Sequence, residues 1–282
     1  MGIKSWGLQS TYATTISQTP TLEVLHELLC VIQGSHTKRL YPPDGYTIIV
    51  SGDAAMTTNV SLITKLGYDP LKDFAPISLV VDSVNILAVH PTVPARNVPE
   101  LVALAKSQPG KLSFGSAGTG TSQHLGGELL KAMAGIDLLH IPYKSGVLVV
   151  PDLLAGRISM QFGNISSLLP FVREGRLRAL AVSSLKRAPQ IAELPTMAES
   201  GFPGFEATAW VGMLAPVGTP ESIVRRLHQE TARAVARPDL RDKMIELGFI
   251  IMTGTPEEFS AQIKAEIPKK GKLVRASRAK PT

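Results

Sequence analysis

The 282-residue chain is predicted to be an α/β protein of two lobes, and three features of the sequence predict it. From residue 41 onward, strand-like and helix-like segments alternate, the pattern of helices laid on sheets. Two long extended stretches, 76–90 and 205–216, bracket the residues between them. One lobe inserted into another through two strands has this layout, with a cleft between the lobes where ligands commonly bind. A composition of 44% hydrophobic and 18% charged residues supplies a core. No apolar run approaches the ~18 residues of a membrane-spanning helix. The 24 glycines and 21 prolines follow no fixed period, which excludes collagen-like and low-complexity chains.

The elements follow in order. Residues 46–50 are a β-branched run behind the turn residues Pro43, Asp44 and Gly45. The stretch 76–90 reads as extended up to Pro91. Asn97, with Glu100 three positions on, predicts a reciprocal cap for a helix carrying Leu101, Leu104 and Ala105. A strand at 112–114 leads through 115–122 into a helix over 123–133, with Leu125, Leu129 and Met133 on one face. Residues 158–162 and 178–184 are further strands. Two helices close the chain. One starts at Thr219, Pro220 and Glu221; the other starts at Thr255, Pro256, Glu257 and Glu258 and carries Phe259, Ile263 and Ile267. Proline at a first helical position costs no hydrogen bond. Residues 23–32 suit a short helix, and no internal repeat is present.

Charge has one location. The formal charge is +6, from 29 basic and 23 acidic residues. Residues 264–282 hold seven of the bases (Lys264, Lys269, Lys270, Lys272, Arg275, Arg278, Lys280) and one acid, Glu266, which leaves 22 of each sign elsewhere. Nucleic-acid binders spread Lys and Arg over a face interleaved with aromatics. The basic tail therefore reads as a solvated helix end, with no nucleic-acid partner. Cys30 is the single cysteine, so no disulfide forms within the chain and no cysteine-based metal site exists. Residues 1–19 are rich in Ser, Thr and Gln and have no apolar core of signal-peptide type, so they are not expected to direct secretion.

The residues that carry chemistry are Gly115, Ser116, Ala117, Gly118, Thr119, Gly120, Thr121 and Ser122, joining a strand to a helix. Three glycines let the backbone approach a ligand, and four hydroxyls donate or accept. The first N–H groups of the next helix lack internal partners and carry the positive end of its dipole. Such a loop suits an anion. The same residues also suit a turn that only reverses the chain. No Lys or Arg lies between Gly115 and His124, so a triphosphate loop is excluded. The glycine spacing is not that of a dinucleotide fingerprint. Catalytic patterns are missing too: there is no zinc-protease motif and no nucleophile elbow around Ser122. His124 and Glu128 lie four apart, which reads as a surface pair, and without a third ligand they make no zinc site. An enzyme is not predicted, and no cofactor or metal is implied.

The run Leu112-Ser113-Phe114-Gly115-Ser116-Ala117-Gly118-Thr119-Gly120-Thr121-Ser122-Gln123-His124-Leu125 resembles the signature of Bug-type solute receptors, the extracytoplasmic binding proteins of tripartite tricarboxylate transporters. Further motifs match in order from residue 41 to residue 276, among them Tyr68-Asp69-Pro70-Leu71-Lys72-Asp73-Phe74, His140-Ile141-Pro142-Tyr143-Lys144, Gly175-Arg176-Leu177-Arg178-Ala179 and Pro195-Thr196-Met197-Ala198-Glu199-Ser200-Gly201. The resemblance implies a type 2 periplasmic-binding-protein fold whose two lobes, with a hinge of two crossing strands, close like a Venus flytrap on a small carboxylate. It divides the chain into an unmatched 1–40, a first lobe of 41–90 plus 210–282, and an inserted second lobe of 91–209. The implied ligand is a di- or tricarboxylate, an amino acid or an aromatic acid. It would be held by backbone N–H groups, hydroxyls and bridging waters of 116–122. Asn164, Ile165 and Ser166 are implied as a second-lobe wall, and Ser51, Gly52 and Asp53 as a first-lobe wall. For each of these, an ordinary strand–helix loop is an equal alternative. A periplasmic location, membrane permease subunits as partners and a monomeric receptor are implied as well.

The chain departs from the family pattern in three places. Residues 1–40 contain nothing of the family's first Gly-rich loop, P-F-x-x-G-G; Ser145 to Val150 is an apolar run where a Gly-rich cleft turn stands; and Pro268 is expected to end or kink the last helix. The first departure supports a rival reading, a truncated or chimeric family remnant that binds nothing.

Overall fold

The computed structural model describes residues 11–15, by backbone alone, and 42–277. The expected helix at 23–32 lies outside the described residues. One sheet contains β1 (Thr11–Thr15), β2 (Thr47–Gly52), β3 (Phe74–Ser83), β9 (Ala209–Pro216) and β10 (Phe249–Ile251) in the order β1-β2-β9-β3-β10. It is antiparallel throughout. The other contains β4 (Asn85–Val89), β5 (Ser113–Ser116), β6 (Leu139–Pro142), β7 (Met160–Asn164) and β8 (Arg178–Val182) in the order β6-β5-β7-β4-β8.

The first extended stretch is two strands, one in each sheet. The chain leaves the first sheet after Ser83, passes through fully buried Val84 and enters the second at Asn85. It returns through 205–208, where the Ala207 N–H donates to the Ser183 carbonyl, into β9. The crossing thus falls at residue 84. β4, inside the 41–90 expected for the first lobe, is hydrogen-bonded in the second sheet, because its run of five buried residues needs strands on both sides.

Eight helices cover the sheets among the described residues: α1 (Asn59–Leu62), α2 (Val98–Ser107), α3 (Ser122–Ala134), α4 (Val150–Leu154), α5 (Ile165–Arg173), α6 (Glu221–Ala236), α7 (Pro238–Glu246) and α8 (Pro256–Ala276). Both expected closing helices form, as α6 and α8, and α7 and β10 are added between them. Sequence signals set several ends. The Asn97 side chain accepts the Glu100 N–H at 2.9 Å, but Glu100 reaches back to the Arg96 N–H rather than to that of Asn97. Thr255 and Glu258 make the full reciprocal cap of α8. α8 then runs through Pro268 instead of ending there.

The second sheet is packed on both faces. Phe114, Phe162, Phe205, Leu101 and Leu130 fill the α2–α3 side; Ile86, Ile158, Leu153 and Leu168 fill the α4–α5 side. In the first sheet, Trp210, Phe259 and Ile263 anchor α8. α3 sits against its sheet at close range because residues 126 and 127 are glycines: a Cβ at Gly127 would collide with the Phe114 ring, and one at Gly126 would lie 3.1 Å from Phe162. The helix presents Leu125 to the core, while Met133, expected on the same face, is 40% exposed. Gly127→Ala is therefore expected to cost about 1–3 kcal/mol, and Met133→Ala to stay within about 0.5 kcal/mol of the parent, both read from urea unfolding.

Candidate ligand-binding site

Strand direction decides which loops meet. β6, β5 and β7 are neighbours and parallel, and β4 runs antiparallel to both β7 and β8. The carboxyl ends of β5, β6, β7 and β8 therefore share an edge with Asn85, the first residue of β4. Asn85 directly follows the crossing residue Val84, so this edge faces the other sheet. There, β2 and β3 are both antiparallel to β9, which brings Gly52, the last residue of β2, to the side from which the chain crosses. Open α/β sheets bind ligands outside the carboxyl ends of their strands. The loop after β5 also meets the first lobe directly. A Cβ at Gly120 would lie 2.6 Å from Leu62 Cδ2, and Leu62, Leu125 and Val274 form one apolar cluster.

Within 116–122 most polar groups are already engaged. The Ala117 N–H donates to Gln123 Oε1 (3.0 Å), the Gly118 N–H to Ser116 Oγ (3.2 Å), and the Gly120 N–H to His124 Nδ1 (3.2 Å). Ser116 Oγ lies 2.7 Å from His140 Nε2. The Thr121 hydroxyl donates to the Gly118 carbonyl and, as N-cap, accepts the His124 N–H. Ser122 Oγ accepts from Asn85 Nδ2 at 3.1 Å. The backbone N–H groups of Thr119, Ser122 and Gln123 have no partner among the described residues. Ser122 and Gln123 are also buried, at 8% and 6% exposure. A buried N–H without a partner costs about 1–3 kcal/mol, and such groups are rare in folded proteins. Here they sit on the positive end of a 13-residue helix.

The other expected wall residues fall into two groups. Asn164 ends β7 and accepts from Gln123 Nε2 at 3.4 Å, so it joins the loop. Ile165 does not: its side chain is in the core with Val84 and Leu168, and its N–H donates to the Val84 carbonyl. Ser51 and Gly52 reach the facing edge, with Ser51 Oγ donating to the Gly52 carbonyl. Asp53 is buried and paired with Lys270 Nζ at 2.9 Å. This ion pair neutralises a carboxylate at the edge of the cleft. It also corrects the view of the basic tail as wholly solvated, since Lys270 is buried while Lys269, beside it, pairs with Glu206 in a partly exposed bridge. Burial opposes the Lys270 charge, but Asp53, Glu266 and Glu206 outweigh it and hold its pKa above the usual lysine value.

Several members of the site had no signal in the sequence. Gln123 joins Ala117, Gln161 and Asn164; Gln161 Nε2 also donates to the Gly146 carbonyl at 3.1 Å. Asn85 ties Ser122 to the Ala207 carbonyl, and its own N–H donates to Ser183 Oγ. These residues lie up to 122 positions apart, so no local spacing links them. The turn after β6 leaves Val147 and Leu148 exposed, at 65% and 53%. His124 and Glu128, expected as a surface pair, are both buried and do not bond to each other: Glu128 pairs with Lys131 at 3.0 Å. No group of three or more His, Cys, Asp or Glu suited to a metal occurs among the described residues.

Buried His124 and half-buried His140 and Asp82 titrate away from their ordinary values as well. Burial lowers His124 to about 4, helped by the charges of His140 and Lys131, and burial with Lys131 lowers His140 to about 4. Burial raises Asp82, near the crossing, to about 6; a Thr208 hydrogen bond opposes this, and Glu206, Asp53 and Glu266 add to it.

Two crossing segments, two sheets and a polar loop between them define a two-lobed solute-binding protein. Residues 31–278 match the sequence model of the tripartite tricarboxylate transporter family receptor, and the chain belongs to that family. The match starts ten residues before residue 41, where the motifs begin. A relative from Pseudomonas sp. (strain P51), described as a UPF0065 protein in the tcbD-tcbE intergenic region, is 38% identical over 86% of this chain and 72% of its own length. The structure of Rpa4515 of R. palustris with adipate superposes with a TM-score of 0.78 at 32% identity, covering 88% of this chain and 83% of that one. The periplasmic binding protein BugD superposes with a TM-score of 0.74 at 34% identity, covering 87% and 82%. The fold is therefore that of the Bug-type periplasmic receptors, whose members are solute-binding proteins rather than enzymes.

Two outcomes follow from the site's electrostatics. Lys270→Met strands a buried Asp53 carboxylate and is expected to cost about 3–5 kcal/mol; adding Asp53→Asn should recover much of the loss in the same urea titration. The acid response separates the histidines from Asp82. A histidine lowered to about 4 binds its proton more readily when unfolded, so stability falls as pH drops from about 6.5 to about 4. A carboxyl raised to about 6 binds its proton more readily when folded, so it adds stability as pH drops from about 6 to about 4. Asp82→Asn removes only the second contribution, so its unfolding midpoint should fall more steeply across that window than the parent's.

Proposed function

We propose that the protein captures a small carboxylate in the cleft between its lobes for uptake by a tripartite transporter. One observation carries this reading: the N–H groups of the buried residues Ser122 and Gln123, with that of Thr119, have no partner among the described residues at the start of α3. A carboxylate satisfies them, its charge complements the helix dipole, and no arginine or lysine is required. The adipate bound to Rpa4515 supports a carboxylate as the ligand class. We take the lobes to meet at residue 84 and at 205–208. Ser116, Ala117, Gly118, Gly120 and Thr121 shape the loop, while Thr119, Ser122 and Gln123 contact the ligand. Ser51 and Gly52 close over it from the first lobe, and Asp53 acts through its pair with Lys270. Family membership supports a periplasmic site of action, with membrane permease subunits receiving the ligand from a monomeric receptor.

Calorimetric titration of the purified protein with dicarboxylates, tricarboxylates, amino acids and aromatic acids tests this. Saturable binding of at least one acid is expected, and no binding across the panel refutes it. Ser122→Pro sharpens the test. Proline is favoured at the first helical position, and Thr121, at φ −70° and ψ 159°, already has the backbone that a following proline requires. The variant keeps the helix and deletes one N–H. A hydrogen bond to a charged group contributes about 1.5–3 kcal/mol, so affinity should fall roughly ten- to a hundredfold. Ser122→Ala, which keeps the N–H, should lose far less.

A further inference from the structure

Beneath the loop lies a pair of histidines that the carboxylate reading does not use. The rings of His124 and His140 are 4.3 Å apart, and the His140 ring stacks on Phe114 at 4.8 Å. Each ring faces the loop with a different nitrogen. His124 Nδ1 receives the Gly120 N–H at 3.2 Å, which a nitrogen can do only when it carries no proton; the ring proton is then on Nε2. On the other side the Gly118 N–H donates to Ser116 Oγ. The single hydroxyl proton of Ser116 has two acceptors in range, His140 Nε2 at 2.7 Å and the Gly118 carbonyl at 3.3 Å. Either partner of the 2.7 Å contact can donate: with Nε2 unprotonated the Ser116 hydroxyl donates to it, and with Nε2 protonated the ring donates to Ser116 Oγ while the hydroxyl turns to the Gly118 carbonyl. The two contacts grip the loop at residues 116 and 120, on either side of Thr119.

We propose that His124 and His140 are positioning residues that hold the 116–120 loop in its ligand-receiving shape, as uncharged rings that face the loop with Nδ1 and Nε2 respectively. This rests on the reading of that loop as the carboxylate site. Neither ring touches the ligand; each fixes a backbone turn, so that the Thr119, Ser122 and Gln123 N–H groups stay presented together. The charged groups facing the pair fit this role. Lys131, on the same helix, disfavours a second positive charge, and Glu128 is engaged by Lys131 rather than by either histidine. The lowered pKa of both rings, about 4, keeps them neutral at pH 7.

Side-chain amides discriminate the two nitrogens. Asparagine places an acceptor near the position of Nδ1, and glutamine near that of Nε2. Adipate titrations should therefore find His124→Asn and His140→Gln close to the parent, while His124→Gln and His140→Asn lose roughly tenfold in affinity, the effect of about one displaced hydrogen bond. Equal affinity for the two substitutions at either position overturns the proposal. Nitrogen-15 spectra of the ligand-free parent give an independent reading, needed if a variant does not fold. A neutral His124 protonated on Nε2 supports the assignment, and one protonated on Nδ1 contradicts it. Should the parent bind no carboxylate at all, the loop reading falls, while the spectra still decide the histidine assignment.

Discussion

Folding normally pairs every buried peptide N–H, because an orphan costs as much as a lost hydrogen bond. At the start of α3, the N–H groups of two buried residues, Ser122 and Gln123, have no partner among the described residues. The N-cap Thr121 takes the third helical N–H and leaves the first two open. Side chains that would otherwise fold back to cover them are committed elsewhere: Gln123 to Ala117 and Asn164, and the Ser122 hydroxyl to Asn85. The helix carries its dipole to this point on a glycine pair that lets it lie close to Phe114 and Phe162.

The first lobe contributes mainly by shaping and neutralising. Gly120 meets Leu62, and Leu125 meets Leu62 and Val274, so the loop and the base of its helix rest on first-lobe apolar residues. The Asp53–Lys270 pair neutralises a fixed carboxylate at the facing edge, and it ties α8 to the end of β2. Trp210 donates to Glu266, and Lys269 pairs with Glu206, so the same helix is fastened to the return crossing as well. α8 thus links the end of β2 to the return crossing.

Much of this was legible from residue order. The β-branched run at 46–50, the N-cap at Asn97, the helix start at Thr255 and the strand-to-helix position of the hydroxyl–glycine loop are local patterns that local chemistry placed, although the return half of the Asn97 cap goes to Arg96. Errors arose where burial or long-range pairing decides. Stretch 76–90 reads as one strand because nothing in its pattern marks Val84 as the point of passage between sheets. Ile165 looks like a loop residue by position but is claimed by the core. At 116–122, where a seven-residue grip was expected, Gln123, His124, His140 and Asn85 occupy most of the polar groups, and only the fold brings those residues there. Pro268 inside α8 shows the same effect in reverse: packing of Phe259, Ile263 and Val274 on either side of it carries the helix through a residue that disfavours it.

The central claim concerns three particular N–H groups, and an amide-resolved nuclear magnetic resonance titration with adipate addresses them one by one. The account predicts that the Thr119, Ser122 and Gln123 amides shift most, while those of Ala117, Gly118 and Gly120, already bonded within the loop, move little. Saturable binding that leaves Ser122 and Gln123 unmoved and shifts amides elsewhere would contradict it.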